Sequence, residues 1–181
     1  MTPANFITLI RILLVPFFFT ALVSYAPGKE RERWTAFLIF LAASITDMLD
    51  GFLARITKSR TELGRFLDPF ADKLLLLSGF LGLLCVPALP YRPPLWITVS
   101  IVFRDLVLIA GLIVIYLVSG TLRVEPNALG KVATACQMAT LLGILLNLKI
   151  SIPLSYATAA LTILSCVVYS VRELQGLKTS A

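Results

Sequence analysis

Residues 44–73 read SITDMLDGFLARITKSRTELGRFLDPFADK, and the four aspartates in that stretch, Asp47, Asp50, Asp68 and Asp72, decide how the rest of the chain is understood. Their surroundings are almost wholly apolar. An ionised carboxylate in the middle of a bilayer-spanning helix costs about 2.5 to 3.5 kcal/mol even on the lenient insertion scale, so four of them require strong compensation. On a helix the three-residue spacing of Asp47 and Asp50 sets them about 60° apart, and the four-residue spacing of Asp68 and Asp72 about 40° apart. Each pair therefore projects from one face of its own helix. The intervening residues 56–67, with Thr57, Lys58, Ser59, Arg60, Thr61 and Gly64, read as a polar turn that folds one helix onto the next and lets the pairs converge.

Converging carboxylates repel one another unless cations stand between them. Hard divalent ions such as Mg²⁺ or Mn²⁺ prefer oxygen ligands, and a pair of such ions about 3.5 to 4 Å apart is a recurring device in phosphoryl chemistry. Gly51, Ala54 and Gly64 suit the same picture, because missing side chains let a ligand or a neighbouring backbone come close. Arg55 offers a fork of donors to a phosphate. The plainer reading, solvated charges near a loop, fits one aspartate better than four in this register with glycines between them. The chain has no histidine, so a general base working near neutrality is a carboxylate, a lysine or a cysteine.

Outside this stretch the composition sets the class. Of 181 residues, 58% are hydrophobic and 14% charged, too apolar for an ordinary soluble domain. The expectation is an all-α integral membrane protein with one domain over residues 1–181 and six transmembrane helices around a polar, metal-holding cavity open to the cytoplasmic side. The spans are placed at Asn5 to Tyr25, Trp34 to Thr57, Asp68 to Val86, Pro94 to Ser119, Gly130 to Leu148 and Pro153 to Arg172, each near the roughly 20 residues a bilayer requires. Breaks are expected at Ala26-Pro27-Gly28, in the proline-rich Pro87 to Pro94, at Ser119-Gly120 and at Ile152-Pro153. The first apolar segment lacks a basic leader and a cleavage site, and reads as a retained helix.

The net charge of +6 is dispersed over several loops instead of forming an aromatic-interleaved stripe, which argues against nucleic acid and for membrane topology and anionic lipid. Arg11, Arg55, Lys58, Arg60, Arg65, Lys73, Arg123, Lys131, Arg172 and Lys178 fall on one side. Lys29, Arg31, Arg33, Arg92 and Lys149 fall on the other. The bias predicts both termini, and the aspartates, on the cytoplasmic face. Gly79, Gly82, Gly111 and Gly143 are expected where helices approach closely. Cys85, Cys136 and Cys166 are too widely separated for a metal site and read as packing residues.

The pattern Asp47-x2-Asp50-Gly51-x2-Ala54-Arg55-x8-Gly64-x3-Asp68-x3-Asp72 reproduces every fixed position of the CDP-alcohol phosphotransferase (CDP-alcohol phosphatidyltransferase) signature, and size and helix number resemble that family along the whole chain. The resemblance implies divalent-metal-dependent transfer of a phosphatidyl group from CDP-diacylglycerol to an alcohol, with release of CMP, by a homodimer in a bacterial plasma membrane. It implies two cations, Mg²⁺ or Mn²⁺, on Asp47, Asp50, Asp68 and Asp72, with Asp72 also the base for the acceptor hydroxyl. Gly51, Ala54, Arg55 and Gly64 would shape the CDP pocket.

Three further constellations bear on the acceptor. Asn5, Thr8 and Arg11 recur every three residues on the first span, similar to the start of glycerol-using members, or serve as interfacial anchors. Arg104 and Asp105 sit mid-span, where a role in the polar cavity or a mutual ion pair would justify them. Gly130-Lys131-x2-Thr134-x2-Gln137 resembles a motif shared by phosphatidylglycerophosphate synthases and the cardiolipin synthases of the same family. Arg104-Asp105 with Leu112, in place of Arg-Glu with a second arginine, is similar to the cardiolipin branch, whose acceptor is phosphatidylglycerol. The product expected is nevertheless phosphatidylglycerophosphate, with glycerol 3-phosphate as acceptor and Arg104, Arg123 and Lys131 on its phosphate. Intramembrane prenyltransferases and cation-coupled transporters are the rivals. The first separate their aspartate motifs widely, and the second call for a broken-helix repeat that is not evident here.

Overall fold

The computed structural model describes residues 3–57, 62–119 and 128–179. They form six helices, α1 Pro3–Val23, α2 Glu30–Thr57, α3 Glu62–Cys85, α4 Leu95–Ser119, α5 Ala128–Leu145 and α6 Ser151–Thr179, and no strand occurs among the described residues. All six expected spans are helices, several longer than their apolar centres. α2 starts early because Glu30 and Glu32 in its first turn complement the positive end of the helix dipole. The polar turn expected over residues 56–67 is largely helix instead. α2 continues to Thr57, and α3 already runs from Glu62 through Gly64, since one glycine costs about 1 kcal/mol in a helix and the packing of a long helix outweighs that.

The connections follow local backbone chemistry. After α1 the chain turns at Gly28, in the left-handed region at φ 89°, with the Lys29 amide donating to the Ala26 carbonyl at 2.9 Å. Before α4, the carbonyl of Pro94 accepts from the amides of Ile97 and Thr98, at 3.0 and 3.3 Å. The α5–α6 break lies at Asn147 and not at Ile152-Pro153 as the sequence suggested. Asn147 adopts φ 58°, its amide bonds the Ile144 carbonyl at 3.0 Å, and the Leu148 amide bonds the Gly143 carbonyl at 2.9 Å. This double bond with a left-handed residue just past the helix is the Schellman stop. Pro153 falls in the first turn of α6, where its missing N–H has no intrahelical acceptor to lose.

α1 packs against α2 and α3, α3 against α4, α4 against α6, and α5 against α6, with α2 and α3 also reaching α5. Phe18, Leu22, Phe40, Leu76, Phe80, Ile101, Leu141 and Ile144 are buried at the centre, and the Phe18 and Phe40 rings meet at 5.3 Å. Arg33, expected among loop charges, is buried. It bonds Glu30 through Nε at 2.8 Å and the Leu145 carbonyl at 3.1 Å, giving a terminal carbonyl of α5 the partner its own helix lacks.

Three of the four glycines expected at close approaches are there. A Cβ on Gly82 would overlap the side chain of Leu22, one on Gly79 would sit 2.7 Å from Leu141 Cδ1, and one on Gly143 would sit 2.7 Å from Ser151 Oγ. Gly111 has open space around it, so it is no packing notch. Gly82→Ile is accordingly expected to destabilise by about 1–3 kcal/mol, because Leu22 must leave its place in the core. Gly111→Ala should be neutral or slightly stabilising, within about 1 kcal/mol. Thermal unfolding of the two purified variants checks the contrast.

Large apolar side chains remain exposed along whole helices: Phe6, Leu13 and Phe17 on α1, and Leu95, Phe103, Val114 and Leu117 on α4. Among the described residues no helix is long and apolar enough to cross a membrane.

Candidate active site

α2 carries Asp47, Asp50, Gly51, Ala54 and Arg55 in its last three turns, and α3 carries Gly64, Asp68 and Asp72 in its first three. Both helices run uninterrupted through these positions and pack against each other. The signature thus occupies two successive helices whose facing ends are separated by residues 58–61. The side chains of Asp47, Asp50, Ala54, Arg55 and Asp68, and the surroundings of Gly51 and Gly64, lie outside the described residues, as does Arg123. Asp72 is described and half-buried. Among the described residues no three acidic or thiol side chains gather as metal ligands, and three of the four aspartates fall outside that set.

Immediately after Asp72, the chain enters a buried polar junction joining four helices. Lys73 Nζ of α3 donates to Asp105 Oδ1 of α4 at 3.1 Å and to Thr134 Oγ1 of α5 at 3.2 Å. Arg104 donates through Nη1 to the same Asp105 oxygen at 2.8 Å and through Nη2 to Ser165 Oγ of α6 at 3.0 Å. The Thr134 hydroxyl itself donates a hydrogen bond to the Gly130 carbonyl at 3.0 Å. Asp105 is fully buried and Arg104 nearly so, so one carboxylate is held between two cations away from solvent. Removing water strengthens such attractions and also makes any unpaired member costly. The arrangement therefore fixes the turn of α3 that bears Asp72 against the other half of the bundle.

Arg104 and Asp105 do form the mutual ion pair that the sequence allowed, and Lys73 joins it. By sequence alone Lys73 counts as one of the topology charges. Its signal was available: Lys73 opens the run Lys73-Leu-Leu-Leu-Leu77, which commits the ammonium to the protein interior. Ser165 carried no signal, because its role depends on where α6 meets α4. Lys131, Thr134 and Gln137, expected on one side of the fifth helix, pass from exposed through half-buried to fully buried. Thr8 and Arg11 are fully buried on α1, against the interfacial-anchor alternative.

The model of the CDP-alcohol phosphatidyltransferase family matches residues 1–169. A probable phosphatidylglycerophosphate synthase of Mycobacterium tuberculosis is 34% identical over 188 aligned residues, spanning 98% of this chain and 86% of the relative. CDP-diacylglycerol–glycerol-3-phosphate 3-phosphatidyltransferases of Haemophilus influenzae and Escherichia coli are each 33% identical. The alignments cover 91% of this chain and 89% of the relative in the first case, and 90% of each in the second.

Proposed function

This chain belongs to the CDP-alcohol phosphatidyltransferase family, and on that footing we propose that it transfers the phosphatidyl group of CDP-diacylglycerol to glycerol 3-phosphate, forming phosphatidylglycerophosphate and CMP. The observation that carries this reading is the complete eight-position aspartate signature on two packed, successive helices. Relatives bearing that activity in their names align over nine-tenths of the chain.

The donor set suits hard divalent cations: four carboxylates on adjoining helices, with no imidazole in the chain. Asp47, Asp50, Asp68 and Asp72 would hold two Mg²⁺ or Mn²⁺ ions. When bound, these supply Lewis-acid neutralisation of the diphosphate and of the departing CMP. Gly51, Ala54 and Gly64 leave room for the nucleotide and Arg55 binds its phosphates. Asp72 takes the proton of the acceptor hydroxyl as its oxygen bonds to the phosphatidyl phosphorus and the bond from that phosphorus to the CMP oxygen breaks. Arg104, Arg123 and Lys131 attract the phosphate of the acceptor.

The reaction joins a two-tailed lipid to a polar alcohol, and a bilayer location for the protein follows. Counted over all 25 of its residues, including those whose side chains lie outside the described residues, α4 has a length of about 37 Å at 1.5 Å per residue, against a hydrocarbon core of about 30 Å. Its only charged residues are Arg104 and Asp105, which bond each other. The exposed apolar side chains along α1 and α4 are what lipid would cover, or what a second copy of the chain in a homodimer would cover. The charge bias of the sequence supports a topology with both termini and the aspartates at the cytoplasmic face.

A second reading, phosphatidylglycerol as acceptor giving cardiolipin, draws on Arg104 being engaged by Asp105 and Ser165. CMP release from CDP-diacylglycerol, with Mg²⁺ or Mn²⁺ and each acceptor in turn, separates the two. Release with glycerol 3-phosphate is expected. Product from phosphatidylglycerol alone would overturn the assignment, and absence of CMP release with both would exclude both acceptors.

A further inference from the structure

Between two fixed rungs of the α5–α6 packing lie buried polar side chains, Gln137 and Thr162, that the reaction described above does not use. One rung is the hydrogen bond between the Thr140 and Thr158 hydroxyls, at 2.9 Å. The other is the junction in which Thr134 meets Lys73 and Ser165 meets Arg104. Gln137 lies midway between Thr134 and Thr140 on α5, and Thr162 midway between Thr158 and Ser165 on α6, so helical register sets them at the same level. Gln137 is 0% exposed and Thr162 is 1% exposed. Among the described residues neither amide atom of Gln137 nor the Thr162 hydroxyl has a hydrogen-bond partner, and the same holds for Asp105 Oδ2 and Arg104 Nε at the adjoining rung.

A buried amide that makes none of its bonds is strongly disfavoured, and more so where helices are surrounded by lipid. The valence of the set identifies what would satisfy it. Gln137 Nε2, Arg104 Nε and the Thr162 hydroxyl donate, while Gln137 Oε1, Asp105 Oδ2 and the same hydroxyl accept. A phosphate only accepts, and would meet the Gln137 and Asp105 oxygens lone pair to lone pair. An alcohol hydroxyl does both. We propose that Gln137 and Thr162, with the second oxygen of Asp105, bind the secondary hydroxyl of the acceptor's glycerol, the hydroxyl that does not react. This rests on the reading of glycerol 3-phosphate as acceptor. It also orients that acceptor: phosphate toward exposed Lys131 at the start of α5, hydroxyl-bearing carbons inward past Lys73, beside the turn that carries Asp72.

The test compares glycerol 3-phosphate with 3-hydroxypropyl phosphate, which lacks only the secondary hydroxyl, using the full chain with CDP-diacylglycerol and Mg²⁺. The native protein is expected to prefer glycerol 3-phosphate by on the order of 100-fold in kcat/KM. In Gln137→Leu and in the isosteric Thr162→Val the preference should collapse to about threefold or less, because glycerol 3-phosphate loses rate while the deoxy acceptor, which never used these groups, does not. Turnover of the deoxy acceptor also reports that each variant has folded. Equal use of both acceptors by the native protein, or a preference that survives in both variants, overturns the proposal and leaves the polar atoms to buried water. Should phosphatidylglycerol alone release CMP, the acceptor reading has failed by itself. The same comparison between phosphatidylglycerol and phosphatidyl-1,3-propanediol then decides the role of Gln137 and Thr162 by the same criterion.

Discussion

Asp72→Asn is expected to slow CMP release by about a thousandfold, within the range usual for removal of a general base, while the affinity for CDP-diacylglycerol changes little. Asparagine keeps the size and one carbonyl oxygen of the native side chain, but it cannot take a proton from the attacking hydroxyl. Asp72 is the member of the signature whose half-buried side chain stands directly before Lys73, at the turn of α3 fixed to α4 and α5 by hydrogen bonds of 3.1 and 3.2 Å. Initial rates of CMP release and a separate binding isotherm for CDP-diacylglycerol check the two halves of this result. A drop in affinity matching the drop in rate would show that Asp72 serves chiefly to hold cation and nucleotide, and would move the proton acceptor elsewhere.

The second large effect concerns folding. Asp105→Ala would leave Lys73 and Arg104 side by side in the interior without the carboxylate they share. Deleting one member of a buried ion pair destabilises by about 3 to 5 kcal/mol, because the remaining charge keeps its desolvation cost and loses its partner. Two stranded cations place the expected loss at the upper end of that range. Removing all three charges together, as Lys73→Met with Arg104→Met and Asp105→Leu, should recover most of that stability, since well-packed apolar replacements of buried ion clusters are frequently neutral. Thermal or denaturant unfolding of the single and triple variants measures the difference. A triple variant no more stable than Asp105→Ala would show that the junction is held by packing around it and not by its charges.

The number and order of helices were legible because the apolar segments are long and their interruptions consist of residues with strong backbone preferences, such as Ala26-Pro27-Gly28. The errors fell where two signals competed. Pro153 drew the α5–α6 break toward itself, although a proline in the first turn of a helix loses nothing and Asn147 could adopt the left-handed conformation. Gly64 suggested a turn, yet α3 begins before it. The aspartate signature was readable because the pattern is dense and its residue types are expensive in apolar surroundings. The junction behind it was half readable. Arg104 and Asp105 announced themselves by the same cost, whereas Ser165, Thr162, Thr158 and Thr140 are unremarkable in apolar helices, where a hydroxyl can bond its own backbone, as Thr140 does to the Cys136 carbonyl at 2.8 Å. Only the packing of α6 on α5 and α4 shows that Thr158 meets Thr140 and Ser165 meets Arg104. Arg11 read either as part of a glycerol-site pattern or as an interfacial anchor, and its burial within α1 is what speaks against the anchor.

Lys73 finds its carboxylate 32 residues later in the chain and its threonine 61 residues later. During synthesis the first three helices therefore carry this ammonium group before the helix that bears its ion-pair partner has been made. Until the fourth and fifth arrive, that group lacks both of these partners. Assembly then follows the order of emergence: the turn next to Lys73 acquires its fixed orientation only when the second half of the polypeptide closes over it.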